Sequence, residues 1–244
     1  MVAATESLEG HAQVLLQRRS LLSGPESAQI VQKILGLSAH WLQRGPMDFY
    51  TLGAASYLDG AWDAEPYRSR SLQTNPILKQ AFQPLYARLQ HCLEQLLGPV
   101  RFHPGLALPG FHIFASRPRQ AMLQGTAAWA RSGGSVHLDL QYRMHDSFWQ
   151  QFACVDWHQP LSFTLALELP AEGSGLRIWP DCRIPGEAAA EAAEFVPYRI
   201  GEMVLFVQPL VHQIAPVQTL TSRDRRITLQ GHGLRCDGSW ILYF

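Results

Sequence analysis

The chain has 244 residues, 47% of them hydrophobic, and its 20 Lys and Arg balance 20 Asp and Glu. That length fits one domain, or one domain with an added subdomain, and it is enough to bury a sizeable core. The charge balance argues against a nucleic-acid partner, and no apolar run approaches the roughly 18 residues of a membrane span. The four cysteines, Cys92, Cys154, Cys182 and Cys236, are far apart with no C-x-x-C pair. They read as free thiols of a reducing compartment, not as disulfides or a zinc site. The first residues carry Glu6 and Glu9 and show no basic segment leading into an apolar run, so no signal peptide is visible and a cytoplasmic location is expected.

From Thr5 to Leu22 the leucines fall at helical spacing. Gly24-Pro25 opens a second helix whose apolar face includes Val31, Ile34, Leu35 and Trp41, ending near Gly45-Pro46. Asp48 to Leu58 suggests a short strand and turn. Asn75 to Leu97 is the longest predicted helix, opened by Pro76 and stopped by Gly98-Pro99. After Pro99 the texture becomes short, β-rich and punctuated by Gly and Pro. Candidate strands are Val100–His103, Gly110–Ala115, Thr126–Ala130, Gly134–Tyr142, Leu161–Leu169 and Gly175–Trp179, followed by Glu194–Tyr198, Met203–Val207, Val211–Ala215, Arg225–His232 and Trp240–Phe244. Strands at such short intervals indicate a sandwich or barrel. Residues 1–98 are expected as a helical support and 99–244 as a β core, together one domain.

The chemistry centres on His137-Leu138-Asp139. In a strand, His137 and Asp139 share one face with Cα atoms roughly 6.6 Å apart, while Val136, Leu138 and Leu140 turn the other way. Alone, the tripeptide fits a wet edge strand as well as half of a metal site. Three later stretches bear on it. Gly173-Ser174-Gly175 leads into the strand Leu176-Arg177-Ile178-Trp179. Gly201 opens an almost wholly apolar strand that leads on to Leu210-Val211-His212. In Arg225-Arg226-Ile227-Thr228-Leu229-Gln230, alternation sets Arg226, Thr228 and Gln230 against Ile227 and Leu229.

In these features the chain resembles the iron(II)- and 2-oxoglutarate-dependent dioxygenases, over roughly Phe111 to Gly233. The matching pattern is His137-x-Asp139, a distal His212, and Arg226 with Thr228 two residues on. The resemblance implies a double-stranded β-helix, the jelly-roll or cupin-like barrel, here mainly β and buttressed by the N-terminal helices. It implies that His137, Asp139 and His212 ligate Fe(II), that two imidazoles and one carboxylate leave the opposite face open, and that Arg226, aided by Thr228, holds the far carboxylate of 2-oxoglutarate. Arg225 is expected to face away. Because Asp139 is present where the family's halogenating branch has a small residue, hydroxylation or a related oxidation is the expected outcome.

His112, Tyr142, His145, Trp179 and His232 are the candidates for a substrate pocket, each with a structural alternative: strand, surface or core. Gln141–Pro160 is a candidate lid. A small molecule such as an amino acid or specialised metabolite is the preferred substrate, with O2 as co-reactant, and neither nucleic acid nor a membrane is an expected partner. A protein side chain is the second option. A cupin-like metal-binding module, or a cupin enzyme that uses no keto acid, is the rival of another class. Oligomeric state is not legible.

Overall fold

The computed structural model describes residues 16–44, 48–60, 64–115, 134–189, 192–217 and 224–244. The expected strand Thr126–Ala130 and most of the expected helix Thr5–Leu22 lie outside them. The described end of that helix is a strand instead. β1 (Gln17–Ser20) pairs antiparallel with β9 (Glu202–Phe206), and the buried Arg18 makes an ion pair with Glu202. The strand Gln17-Arg18-Arg19-Ser20 is wholly polar and has no apolar period of its own, so pairing along the β9 edge decided its form. Residues 1–98 are therefore not purely helical. They also supply β2 (Leu42–Gln43) and β3 (Phe49–Leu52).

Helix α1 (Gly24–Gly36) starts at a capping box in which Ser23 and Glu26 satisfy each other's backbone N–H groups, with Pro25 in its first turn. It ends at Gly36, earlier than expected. Trp41 lies beyond the helix and its indole N–H donates to the Ile34 carbonyl at 3.1 Å. After the short helix α2 (Ser56–Asp59), α3 runs from Ala64 to Leu97 and begins well before the expected Asn75. Its kink at Phe82 has a local cause: Pro84 cannot donate and its ring crowds the preceding turn. The kink leaves Leu78, Phe82, Leu85, Leu89 and Leu93 buried on one side.

The remaining strands are β4 (Val100–Phe102), β5 (Gly110–Ala115), β6 (Val155–Glu168), β7 (Gly175–Trp179), β8 (Glu194–Pro197), β10 (Val211–Ile214), β11 (Arg225–Cys236) and β12 (Ser239–Tyr243). Among the described residues, β1-β9-β6-β11-β5-β3-β2 form one large sheet, with β12 paired to β11 and β4 to β12, and β10-β7-β8 form a smaller one. A 3-10 turn (Gln141–His145) and the short helix α4 (Asp146–Trp149) precede β6. This is the double-stranded β-helix anticipated from sequence.

Alternation along the large sheet divides the molecule. Phe111, Ile113, Ile227 and Leu229 join α1 and α3 in the main core. Their neighbours His112 and Arg226 line a cavity between the two sheets. At the turn into β9, Gly201 has φ 82°, and a Cβ there would lie 2.0 Å from the Leu22 carbonyl oxygen. Only glycine fits this close approach.

The segment Gly134–Tyr142 is not a regular strand. It makes one antiparallel bridge, His137 with His212, through N–H···O bonds of 2.9 and 3.0 Å. By Gln141 the chain has turned into the 3-10 segment. That bridge, with the Gly134 N–H donating to the Ile214 carbonyl at 3.1 Å and Gln213 Nε2 donating to the Gly134 carbonyl at 2.7 Å, holds His137 beside the smaller sheet.

Candidate metal centre

His137, Asp139 and His212 converge. One ligand atom from each lies within 4.8 Å of the others. His137 Nε2 is 3.6 Å from Asp139 Oδ1, and His212 Nε2 is 3.6 Å from Asp139 Oδ2. Each imidazole is oriented by its own backbone: Nδ1 of His137 lies 2.7 Å from the Ser135 carbonyl oxygen, and Nδ1 of His212 lies 2.8 Å from that of Leu210. A carbonyl only accepts, so Nδ1 carries the proton in both rings and both Nε2 lone pairs are turned toward Asp139. Second-partner bonds of this kind fix the ring and tautomer of metal-ligating histidines.

Burial alone would push the Asp139 carboxyl up. His212, His232 and His137, with an N–H donated by Gln141 Nε2 at 3.0 Å, outweigh it and hold the group well below its usual range. Burial also lowers His212, against the opposing pull of Asp139. An ionised carboxylate is the state that a divalent metal requires of an acidic ligand. The donor set, two imidazoles and one carboxylate, suits a non-haem Fe(II) with open positions. His232 Nδ1 stands 3.8 Å from Asp139 Oδ2 and 3.3 Å from Ser162 Oγ.

The triad faces a cavity of about 430 Å³ that also holds Arg226. Arg226 is 3% exposed, and its guanidinium carbon sits 4.0 Å from the centre of the Phe114 ring. Burial lowers its pKa to about 10, so it remains charged at neutral pH. Arg225 faces away, as alternation required, and its guanidinium bonds both oxygens of Glu168. Phe49, Phe114 and Phe206 give the cavity an aromatic wall. A buried cation in the same cavity as an open-faced donor triad fits a dicarboxylate that chelates a metal at one end.

The other candidates divide. His112 and His232 line the cavity. Thr228 is buried on the same strand face, across from His112, but is not among the described residues that line it. Tyr142 is not among the described lining residues: it lies in a satellite core cluster with Trp149 and donates its phenol proton to the Trp157 carbonyl at 3.2 Å. Trp179 is likewise packing, set against Cys182, Ala188 and Val211 behind Val136 and Leu138. His145 ends the 3-10 turn, and its side chain lies outside the description. Of the candidate lid Gln141–Pro160, Gln141 alone among the described residues lines the cavity. Sequence reasoning passed over Gln141 and Tyr57. Gln141 had a signal, since it continues the alternation His137, Asp139. Tyr57 had none, because it arrives from α2, far away in the chain.

No protein-family model matches the chain, and no curated protein matches it by sequence. Solved structures do match. The chain is similar to an N-substituted L-amino acid dioxygenase from Burkholderia ambifaria, with a TM-score of 0.52, 14% identity, and coverage of 94% of this chain and 86% of that one. The same protein in complex with alpha-ketoglutarate matches at a TM-score of 0.52 and 13% identity, with the same coverage. EvdO2 from Micromonospora carbonacea var. aurantiaca matches at a TM-score of 0.48 and 14% identity, over 96% of this chain and 93% of that one. With the Burkholderia dioxygenase, at this identity, the shared property is the fold.

Proposed function

We propose that this chain is a non-haem Fe(II)- and 2-oxoglutarate-dependent oxygenase that oxidises, most simply by hydroxylation, a C–H bond of a small molecule. The observation that carries this reading is the joint presence, in one cavity, of two oriented imidazoles, an ionised carboxylate and a buried guanidinium. His137 and His212 would hold the iron through Nε2 and Asp139 through a carboxylate oxygen. Arg226 would take the distal carboxylate of 2-oxoglutarate, its planar fork matching two oxygens. When bound, iron and 2-oxoglutarate supply the oxidising chemistry: substrate C–H, O2 and 2-oxoglutarate become substrate C–OH, succinate and CO2.

The chain's own part is placement. Phe114 seats Arg226, the backbone carbonyls of Ser135 and Leu210 fix the imidazoles, and the aromatic wall limits water around the reacting carbon. Thr228, expected as a second donor, would act only by a rearrangement that brings its hydroxyl into the cavity. A concave cavity of about 430 Å³ supports a small-molecule substrate over a polypeptide. Arg226 favours a keto-acid enzyme over a cupin that uses none.

The matched dioxygenase suggests N-substituted amino acids as a first panel. Cys92, Cys154 and Cys236 are free thiols, which supports a cytoplasmic setting, and no helix among the described residues is long and apolar enough to cross a membrane. We read 1–244 as one domain, since α1 and α3 share the main core with the large sheet. The test is succinate release from 2-oxoglutarate over that panel. Release that needs Fe(II) and rises with one panel member supports the reading. Absence of release with Fe(II) and 2-oxoglutarate both bound would count against it.

A further inference from the structure

We propose that His112, with its tautomer set by Tyr57, is a second binding residue for the distal carboxylate of 2-oxoglutarate, beside Arg226. This rests on the oxygenase reading above. β5 and β11 are antiparallel neighbours in which Phe114 stands opposite Arg226 and His112 opposite Thr228. His112 is therefore the diagonal neighbour of Arg226 on the cavity face, within reach of a long side chain. Both residues line the cavity. Phe49 seats the pair: its ring stacks on Phe114 at 4.4 Å and meets the His112 ring edge-on at 5.1 Å.

The Tyr57 hydroxyl lies 2.8 Å from His112 Nε2. Nδ1 of His112 is buried and has no hydrogen-bond partner among the described residues. Two arrangements are available to a neutral imidazole and a phenol. If Nε2–H donates to the phenol oxygen, the phenol proton and the Nδ1 lone pair are both left over. If the phenol donates to Nε2, only an Nδ1–H is left over. Unmet buried polar groups are costly, so the second arrangement holds. Burial, and then the charge of Arg226, keep the ring neutral, in agreement with a single remaining donor. That donor sits on the residue diagonal to Arg226 and has no acceptor among the described residues. A carboxylate bound by Arg226 still has lone pairs to accept it.

The experiment is anaerobic calorimetric titration of the Co(II)-loaded protein with 2-oxoglutarate. His112→Phe keeps a ring and deletes the donor, and is expected to weaken binding about tenfold or more. His112→Asn, whose amide nitrogen replaces Nδ1, should recover most of the loss, while His112→Gln, whose nitrogen replaces Nε2, should not. Co(II) affinity should be the same in all of them. Parental 2-oxoglutarate affinity in His112→Phe, or rescue by Gln equal to that by Asn, overturns the inference. Should ring replacement impair folding, Tyr57→Phe serves. It removes one oxygen, frees the tautomer, and is expected to weaken 2-oxoglutarate about threefold; unchanged affinity overturns the inference as well. A parent that binds Co(II) but no 2-oxoglutarate would remove the oxygenase reading itself, and this inference with it.

Discussion

Replacing Gln141 with Leu separates metal affinity from stability. The Gln141 amide donates to Asp139 Oδ1 at 3.0 Å, and both side chains are buried. A hydrogen bond to a buried charge is worth roughly 1.5–3 kcal/mol. Against that loss, Gln141 Oε1 is buried without a partner among the described residues, and deleting an unmet acceptor returns about 1–3 kcal/mol. The two terms nearly cancel, so the metal-free Gln141→Leu protein should melt within a few degrees of the parent. Metal affinity has no such compensation. Asp139 loses the donor that fixes its rotation, and loss of such a partner costs about 10–100-fold in metal affinity. The assay is competition between the protein and a chelating dye for Co(II), with melting of the metal-free forms measured alongside. Gln141→Asn, which keeps the amide one methylene short, should fall between parent and Leu. A Co(II) Kd within twofold of the parent in Gln141→Leu would refute the reasoning.

The two adjacent arginines should separate cleanly. Arg226→Ala should raise the Kd for 2-oxoglutarate by about 100-fold or more, from the loss of two charge-assisted bonds, while Arg225→Ala leaves it unchanged and costs under about 1 kcal/mol of stability, its Glu168 pair being partly exposed; calorimetry and denaturant melts read both. Stability of the metal-free protein should fall on acidification. His112, His212 and His232 have folded pKa values lowered by burial below 6.5, so below pH 6.5 the unfolded chain binds more protons. Each histidine then costs up to about 1.4 kcal/mol per pH unit until its folded pKa is reached. Melts between pH 7.5 and 5.5 should show this slope, and His112→Phe should flatten it. Leu89→Ala, a full truncation in the α3–sheet core, should cost about 2–5 kcal/mol in urea unfolding and leave the Kd for Co(II) unchanged in the folded protein.

Most of the barrel was legible because its strands are bounded by Gly, Pro and polar turns and the start of β11 alternates. β5 and β7 match their expected limits, and the sidedness of Arg225 and Arg226 followed from parity alone. The convergence of His137, Asp139 and His212 was legible because the proposed chemistry demands particular residue types in order. What escaped depended on contacts distant in the chain. β1 reads as helix until β9 offers it an edge. The His137–Asp139 segment reads as a full strand, yet only one bridge forms before the chain turns at Gln141. Tyr142 and Trp179 carry the residue types of a pocket wall, but whether an aromatic faces the cavity or the opposite core is decided by packing that no local pattern records. Tyr57 reaches His112 from a short helix on the far side of α3 in sequence, and no spacing rule joins them.

The most direct test of the account is anaerobic addition of Fe(II) and 2-oxoglutarate to the metal-free protein, watching for the weak visible charge-transfer band of the chelate, with His137→Ala and Arg226→Ala run beside the parent. The account predicts a band in the parent, none in His137→Ala, and one in Arg226→Ala that appears only at far higher 2-oxoglutarate. Tight metal binding by the parent with no band at any 2-oxoglutarate concentration would contradict it.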